Sequence, residues 1–293
     1  MRKLLVILAI FILGCAQQET KKQSDDILGI DNILITPTPP IITGNDFTMN
    51  FYVKNLRDDM AGKKIKIDEI KCYDWGRCEP KGKDCRTANA KPTDLITGSV
   101  EIVDWQFSSP SKEATGGLRV ECPIRFKVVY EYEAAKNSEI AIISEQALKE
   151  AQKAGENPKP RVTENEAAGP MEIEVEYSLK QPVMTSQNVT ATLRVMDKGK
   201  GIYQSIPNGS LSVTPGKELL DFACVKFKKS GDKLVNEANI QMISKKSAPI
   251  ECTFKTPSEK IVSEVRTSFI EARLKYAYEV HERRDVTVEP PKE

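Results

Sequence analysis

Two similar stretches decide the fold: residues 40–55 read PIITGNDFTMNFYVKN, and residues 182–197 read PVMTSQNVTATLRVMD. They align without a gap, so that Pro40 meets Pro182 and the later apolar positions coincide. Inside both stretches apolar residues alternate with polar ones, which is the period of a strand with one buried face. Each stretch therefore predicts a half-buried strand, and their similarity predicts a duplicated unit.

A second match lies near the end of each half of the chain. Residues 128–133 read VVYEYE and residues 274–279 read LKYAYE, so that two tyrosines occupy equivalent positions. A looser match sets Cys122 against Cys252. Matches that keep the same order along the chain indicate two copies of one module. We interpret the repeated tyrosines as structural residues on one face of a late strand: Tyr130, Tyr132, Tyr276 and Tyr278.

Each copy contains about seven short β-rich runs separated by turn residues, which is the pattern of a β-sandwich. We therefore predict an all-β fold. Residues 40–55 resemble the opening strand pair, PxxxGxxFTVxFxVxN, of immunoglobulin-like modules in archaeal and bacterial surface proteins; the second copy has Ser186 in place of the glycine. The resemblance implies two tandem immunoglobulin-like β-sandwich domains joined by a short helix and a linker, and it implies no function.

The predicted organisation has five parts. Residues 144–155, SEQALKEAQKAG, favour a helix because Ser144 is a good N-cap and Gly155 a good stop. We expect the second sandwich to fold alone. The parts are a signal peptide (1–14), a lipidated tether (15–27), the first sandwich (28–143), the helix and linker (144–169) and the second sandwich (170–290).

The first residues predict an exported, lipid-bearing protein. Two positive charges precede an apolar run that ends in Ile12-Leu13-Gly14-Cys15. The run is too short to cross a bilayer, which needs about 20 residues, and its layout is that of a signal peptide. The ending resembles the lipobox of bacterial and archaeal lipoproteins, which implies cleavage before Cys15 and lipid attachment to its sulfur. The alternative is an ordinary signal peptide in which Cys15 is incidental.

Composition is consistent with a folded body outside the cytoplasm. Hydrophobic residues make up 40% of the 293 residues, an ordinary globular share. Lys and Arg number 43 against 42 Asp and Glu, so there is no basic excess for nucleic acid. We expect the membrane as one partner, through the lipid anchor, and a protein or cell-surface partner as another. The expected location is the extracytoplasmic face of the cell membrane.

Cysteine usage also fits export. With Cys15 set aside, six of the seven cysteines remain, and an even number predicts three disulfides. Cys224 and Cys252 are alone in the second module and should pair. In the first module the repeat favours Cys72–Cys122 with Cys78–Cys85, and the alternative is Cys72–Cys78 with Cys85–Cys122. A zinc site is disfavoured because no CxxC pair or neighbouring histidine occurs.

The sequence offers no catalytic constellation. The one histidine, His281, lies in the charged stretch YEVHERR, which we expect to be a solvated turn. Neither a GxSxG elbow nor a phosphate-binding loop occurs. We therefore predict no enzymatic activity, no metal and no cofactor. Asn188 and Asn208 begin candidate glycosylation triplets.

The best candidate for recognition is the stretch CYDWGRC, residues 72–78. Trp, Tyr and Arg are enriched in binding hot spots, so Tyr73, Trp75 and Arg77 are the candidate binding residues. The alternative is that Trp75 packs over the end of the sandwich or a disulfide. Trp105 alternates with apolar neighbours and is predicted to lie in the core.

Together these patterns predict a membrane-anchored extracytoplasmic lipoprotein whose modules serve protein or ligand interaction, adhesion or envelope organisation. The alternative function is that of an accessory subunit of an envelope secretion, pilus or uptake complex. Exposed aromatic residues near Trp75 would favour binding, whereas a large apolar edge or face would favour the subunit.

Overall fold

The computed structural model describes residues 26–56, 64–75, 78, 89–90, 93–155, 165–166, 169–258 and 265–292. The predicted signal peptide and nearly all of the predicted tether, with Cys15, lie outside these residues. Arg77 and Cys85 also lie outside them.

The described chain is built almost wholly from strands. The first half contains β1 Leu28–Thr36, β2 Ile41–Ile42, β3 Asp46–Asn55, β4 Lys64–Asp74, β5 Asn89–Ala90, β6 Thr93–Ile96, β7 Val100–Ser108 and β8 Val120–Ile143. The connection contains α1 Glu145–Lys153 and β9 Asn165–Glu166. The second half contains β10 Met171–Tyr177, β11 Val183–Met184, β12 Asn188–Asp197, β13 Ser205–Ile206, β14 Leu211–Pro215, β15 Leu220–Cys224, β16 Phe227–Ser230, β17 Lys233–Asn236, β18 Ile240–Ile243, β19 Lys246–Ser247, β20 Ile250–Lys255 and β21 Arg266–Glu289.

These strands form three sheets, which confirms the predicted all-β sandwich. A small sheet has the order β1-β3-β7. A central sheet has the order β16-β17-β14-β21-β8-β4-β5, with β2, β6, β9 and β11 pairing at its margins. The third sheet has the order β13-β18-β19-β12-β20-β15, with β10 beside β12.

Both predicted opening strands occur, and they are equivalent in their sheets. Val53 of β3 pairs with Ile30 of β1, and Val195 of β12 pairs with Ile173 of β10. The predicted burial of the alternating apolar residues is confirmed, because Met49 and Phe51 are 0% exposed. The duplication is therefore visible in strand register as well as in sequence.

Two long strands, β8 and β21, run side by side through the middle of the central sheet. They are antiparallel, and their pairing runs from Arg266 opposite Ile142 to Val288 opposite Val120. The sequence pattern predicted only short β-rich runs, whereas each long strand continues through polar residues such as Lys136 and Asn137. In the structure these residues pair with Ala272 and Glu271, and the strands continue through them.

The pairing relates the two halves by a local two-fold axis. Tyr130 lies opposite Tyr278, and Tyr132 lies opposite Tyr276. The sequence repeat aligns Tyr130 with Tyr276 and Tyr132 with Tyr278, so exchanging the halves converts one pair into the other. The axis passes through the pair between these two, Glu131 opposite Ala277.

The short strands β2 and β11 at the margins of the central sheet are related by the same two-fold axis. In the first half Ile41 lies parallel to the end of β21, opposite Val288. In the second half Val183 lies parallel to the end of β8, opposite Ile142. The end of each long strand therefore completes the sandwich of the other half, an arrangement we call the strand exchange.

One face of β8 is buried along most of its length, and one face of β21 is buried except between Val280 and Asp285. On β8 the buried residues are alternate ones, such as Ile124 and Phe126, each 0% exposed. The small sheet covers this part, since the Phe51 and Phe126 ring centroids are 4.6 Å apart. The third sheet covers the other part, where the Tyr177 hydroxyl donates to the Ser138 carbonyl at 3.1 Å. The buried apolar residues of both halves form one continuous cluster.

The two halves are thus joined by more than the predicted helix and linker. β8 ends at Ile143, and β10 begins at Met171. The connecting helix begins as expected, because Ser144 caps it by accepting a hydrogen bond from Ala147 N–H at 3.1 Å. None of its residues is buried, so the shared sheet is what couples the halves.

The disulfides correct one part of the sequence analysis and confirm another. Cys224 bonds to Cys252, as predicted. Cys78 bonds to Cys122, so both pairings considered for the first module are wrong. Cys72 is also disulfide-bonded, to a partner outside the described residues.

The physical reason is the register of β4 on β8. Cys72 lies opposite Phe126, four residues or roughly 13 Å along the strand from Cys122. The looser sequence match, which set Cys122 against Cys252, also does not join equivalent positions of the two halves. Cys252 lies opposite Ala191, and the residue in the equivalent place of the first half is Trp105, opposite Met49.

Candidate functional site

The predicted binding stretch divides into one buried and one exposed residue. Trp75 is 1% exposed and packs against Phe47 and Phe107, with ring centroids 5.7 and 5.3 Å away. It therefore fills the end of the first sandwich and offers no contact surface. Tyr73 is exposed, at the end of β4. Trp105 is 4% exposed, as its alternation predicted.

Tyr73 belongs to a polar network on the open face of the central sheet. Its hydroxyl lies 3.2 Å from His281 Nδ1, and the two rings meet edge to face at 5.6 Å. His281 Nε2 lies 3.1 Å from Glu279 Oε2. His281 is in β21 rather than in the predicted turn. The single histidine thus bridges a phenol and a carboxylate at the surface.

Lys127 extends this network across β8. Its Nζ lies 3.2 Å from Glu279 Oε1 and 3.5 Å from Glu69 Oε2. Partial burial acts to lower the pKa of Lys127, but its hydrogen bond to Glu279 and the charges of Glu279 and Glu69 outweigh burial and raise it. Opposite charges therefore alternate on this face and largely neutralise one another, which is typical of a solvated sheet face.

A cluster of tyrosines lies where the two halves meet: Tyr130, Tyr132, Tyr203, Tyr276 and Tyr278. Adjacent rings of this tyrosine cluster are about 6 Å apart, such as Tyr130 and Tyr278 at 5.7 Å. The Tyr278 hydroxyl donates to Asp197 Oδ1 at 2.7 Å. The hydroxyls of Tyr130, Tyr203 and Tyr276 have no hydrogen-bond partner among the described residues.

Burial controls the ionisation of this cluster. It raises the pKa of Tyr203 to about 12 and raises the pKa of Tyr130 well above its ordinary value. Burial also raises the pKa of Asp197, against the lowering effects of the Tyr278 hydroxyl and the Lys245 charge. The cluster is therefore a largely apolar structural centre, in agreement with the structural role predicted for the repeated tyrosines.

The small sheet carries exposed apolar side chains on its outer face. Leu34 and Ile102 are each 63% exposed, and Val100 is 41% exposed. Ile102 lies opposite Tyr52 on β3. Lys54 is 6.0 Å from the centroid of the Tyr52 ring. We call these residues the outer surface of the small sheet.

This surface was not predicted from the sequence, because the alternation that identifies β7 is that of its buried residues. Val103, Trp105 and Phe107 form that buried series. The available signal was that Val100 and Ile102 are also apolar although they fall on the opposite face.

The remaining predicted sites are accessible or outside the described residues. Asn188 and Asn208 are both exposed. Within the described residues no group of three or more His, Cys, Asp or Glu side chains could hold a metal ion. No described helix has the length and apolar character needed to cross a membrane.

The chain matches no protein-family model. It also matches no curated protein. A proposal for its function therefore rests on its own residues.

Proposed function

We propose that this protein is an extracytoplasmic lipoprotein, held to the membrane by a lipid on Cys15, whose double sandwich binds a partner protein. The charged start, the apolar run and Gly14-Cys15 support export and lipid attachment. The disulfides Cys78–Cys122 and Cys224–Cys252 support an oxidising location, since such bonds persist outside the cytoplasm.

The observation that carries the binding role is the outer surface of the small sheet. Exposed apolar side chains that share one face of a sheet are typical of protein–protein contact surfaces when they form a contiguous patch. Leu34 and Ile102 are 63% exposed on a sheet that is held in place by the packing of Phe51 and Trp105 on Phe126. The surface therefore presents apolar side chains, interleaved with polar Asn50 and Asp104, on a sheet that core packing holds in place.

The same observation favours a second candidate, the accessory subunit of an envelope complex. Of the three predicted binding residues, only Tyr73 is both described and exposed. It belongs to the face of the central sheet on which opposite charges neutralise one another. An apolar sheet surface suits a protein partner better than a small polar ligand, because protein interfaces bury apolar centres with aromatic residues. Tyr52 supplies such an aromatic residue beside Ile102.

Membrane attachment is tested by the Cys15→Ser variant. It should move from the membrane fraction to the soluble extracytoplasmic fraction, because the acylated sulfur is gone. The control, Gln17→Ser, keeps Cys15 and should stay in the membrane. Undiminished membrane retention of Cys15→Ser would overturn the anchor.

The binding role is tested separately in the same membranes. Crosslinking of membranes that contain the wild type should capture a complex with the partner protein. Ile102→Asp places a charge in the outer surface of the small sheet and should remove this complex, while the protein stays in the membrane. The control, Lys229→Ala on β16, changes an exposed residue of the other half. A complex that is equally abundant in both variants would contradict a role for this surface.

A further inference from the structure

Four lysines gather at one end of the third sheet. Met196 of β12 lies opposite Lys246 of β19, and the Asp197 N–H donates to the Lys245 carbonyl at 2.8 Å. The other two lysines lie one and three residues after Asp197 in the chain, and all four are exposed. We call this group the lysine patch: Lys198, Lys200, Lys245 and Lys246.

Two carboxylates contact the lysine patch, and both are largely buried. Lys198 Nζ pairs with Glu172, whose side chain is 17% exposed. Lys245 Nζ lies 3.8 Å from Asp197 Oδ2, and the Asp197 side chain is 1% exposed. The side chains of Lys198 and Lys245 are themselves about half exposed. Their acidic partners therefore lie beneath them, and the solvent side of the patch presents ammonium groups.

Two exposed apolar side chains border the lysine patch. Ile243 lies opposite Lys246 across the two-residue turn Ser244–Lys245, and it is 72% exposed. Ile202 follows Lys200 by two residues and is 46% exposed. Basic side chains beside exposed aliphatic ones suit a membrane interface, where head groups contact the ammonium groups and the acyl boundary receives the apolar groups.

The chain from the proposed lipid-bearing cysteine enters the described structure at the same place. Asp26 Oδ1 accepts a hydrogen bond from the Lys200 N–H at 3.0 Å. Only residues 16–25 separate Asp26 from Cys15. A chain of this length spans at most about 40 Å even when fully extended. A lipid on Cys15 therefore keeps the lysine patch near the membrane surface.

Charge complementarity selects the kind of membrane surface. An anionic surface strengthens binding by roughly fivefold for each lysine that lies close to it. Basic residues of this kind supply a second contact that adds to a lipid anchor. A neutral surface offers the ammonium groups no such attraction.

We propose that the lysine patch, with Ile202 and Ile243, rests on the anionic lipid head groups of the membrane that holds the protein. This inference rests on the proposed lipid anchor and adds the face that the protein turns towards the membrane. The contact fixes the orientation of the double sandwich, which a tether alone leaves free.

The test uses the lipoprotein isolated from membranes and returned to vesicles. One set of vesicles is phosphatidylcholine alone, and the other is equal parts of phosphatidylcholine and phosphatidylglycerol. A water-soluble acetylating ester labels accessible lysines, and mass spectrometry follows the labelling rate of each. At low salt Lys200 and Lys246 should be labelled severalfold more slowly on the mixed vesicles. High salt should remove this difference, because it screens the attraction.

Lys255 is the internal control. It is exposed and lies in the same sheet, opposite Asn188, which is eight residues or roughly 27 Å along β12 from Met196. This distance is well beyond the reach of a screened charge at moderate salt. Lys255 should therefore be labelled at the same rate on both kinds of vesicle.

Charge reversal tests the patch directly. The variant Lys200→Glu with Lys246→Glu changes two exposed side chains, so the fold should be kept, which thermal unfolding checks. Lys198 of this variant should be labelled equally fast on both kinds of vesicle. The matched control, Lys180→Glu with Lys255→Glu, has the same net charge. It should keep the slow labelling of Lys200 and Lys246 on the mixed vesicles.

The outcomes separate this contact from the anchor. Equal labelling of Lys200 and Lys246 on both kinds of vesicle, in protein that floats with them, would overturn the contact and leave the anchor intact. Slow labelling of Lys198 that survives the charge reversal would also overturn it. Protein without a lipid would not float with phosphatidylcholine vesicles. Salt-sensitive flotation with the mixed vesicles would then support the contact, and its absence would overturn it.

Discussion

Tyr130 of β8 lies directly opposite Tyr278 of β21, with 5.7 Å between their ring centroids, although the two residues come from different copies of the repeat. The repeat aligns Tyr130 with Tyr276 instead. A crossed pairing of this kind arises when the copies are related by a two-fold axis and exchange the ends of their last strands. The chain thereby builds one body from two modules.

The strand exchange leads us to expect that the second half does not fold alone, in contrast to the prediction from the sequence. A fragment of residues 165–293 retains β21 but lacks β8, so Val286 and Val288, both 0% exposed, lose their covering. We predict poorly dispersed amide signals for this fragment. Co-production with residues 1–155 should restore a complex whose spectrum matches that of the full chain. A well-dispersed spectrum from the isolated fragment would argue against the exchange.

The hydrogen bond between Tyr278 and Asp197 should contribute measurably to stability. Tyr278→Phe removes the donor to a carboxylate whose side chain is 1% exposed. Loss of a hydrogen bond to a buried acceptor costs about 1–3 kcal/mol. The matched control is Tyr130→Phe, because the Tyr130 hydroxyl has no partner among the described residues. Urea unfolding should therefore separate the two variants; equal stabilities would count against the assigned bond.

Asp197 should also give stability a pH dependence. Burial raises its folded-state pKa above the ordinary value of 3.8, so the folded protein binds this proton more tightly than the unfolded chain. Its contribution is fully present below pH 3.8 and is lost as the pH rises through the folded-state pKa. Asp197→Asn should remove this component.

The measurement for Asp197 is the difference in free energy of unfolding between wild type and Asp197→Asn across this pH range. The wild type should lose stability relative to the variant as the pH rises. A difference that does not change with pH, or that changes in the opposite sense, would show that the folded-state pKa is not raised.

Peptide mapping should distinguish the disulfide pairings of the first module. Trypsin places Cys78 in CEPK, Cys122 in VECPIR and Cys72 in CYDWGR. Without reduction, CEPK should be found linked to VECPIR. A link between CYDWGR and VECPIR would restore the sequence-based pairing. Replacing Cys78 and Cys122 together by Ser should lower stability by about 2–4 kcal/mol.

The local structure of this chain could be predicted, because alternation within a strand depends on neighbouring residues. The alternation of apolar residues over residues 47–53 and 189–195 gave strands in the correct places, and Ser144 gave the start of the helix. The buried position of Trp105 followed from the same period, as did the placement of the repeated tyrosines on one face of the late strands. Each of these inferences needed no knowledge of distant partners.

The exchange and the disulfides could not be predicted in this way, because they depend on which distant strands pair. A repeat fixes that Tyr130 and Tyr276 are equivalent, but an uncrossed arrangement of two modules would satisfy it equally well. Cys122 could be matched to Cys252 only by ignoring that they lie on non-equivalent strands. Trp75 and Tyr73 are two residues apart and share a composition typical of binding, yet only the packing of Phe47 and Phe107 decides that Trp75 is buried.

The most direct measurement of the proposed function is the mass of the N-terminal peptide from protein isolated from membranes. We predict a chain that begins at Cys15 and carries added lipid on that residue. A chain that begins elsewhere, or an unmodified Cys15 in membrane-bound protein, would contradict the account.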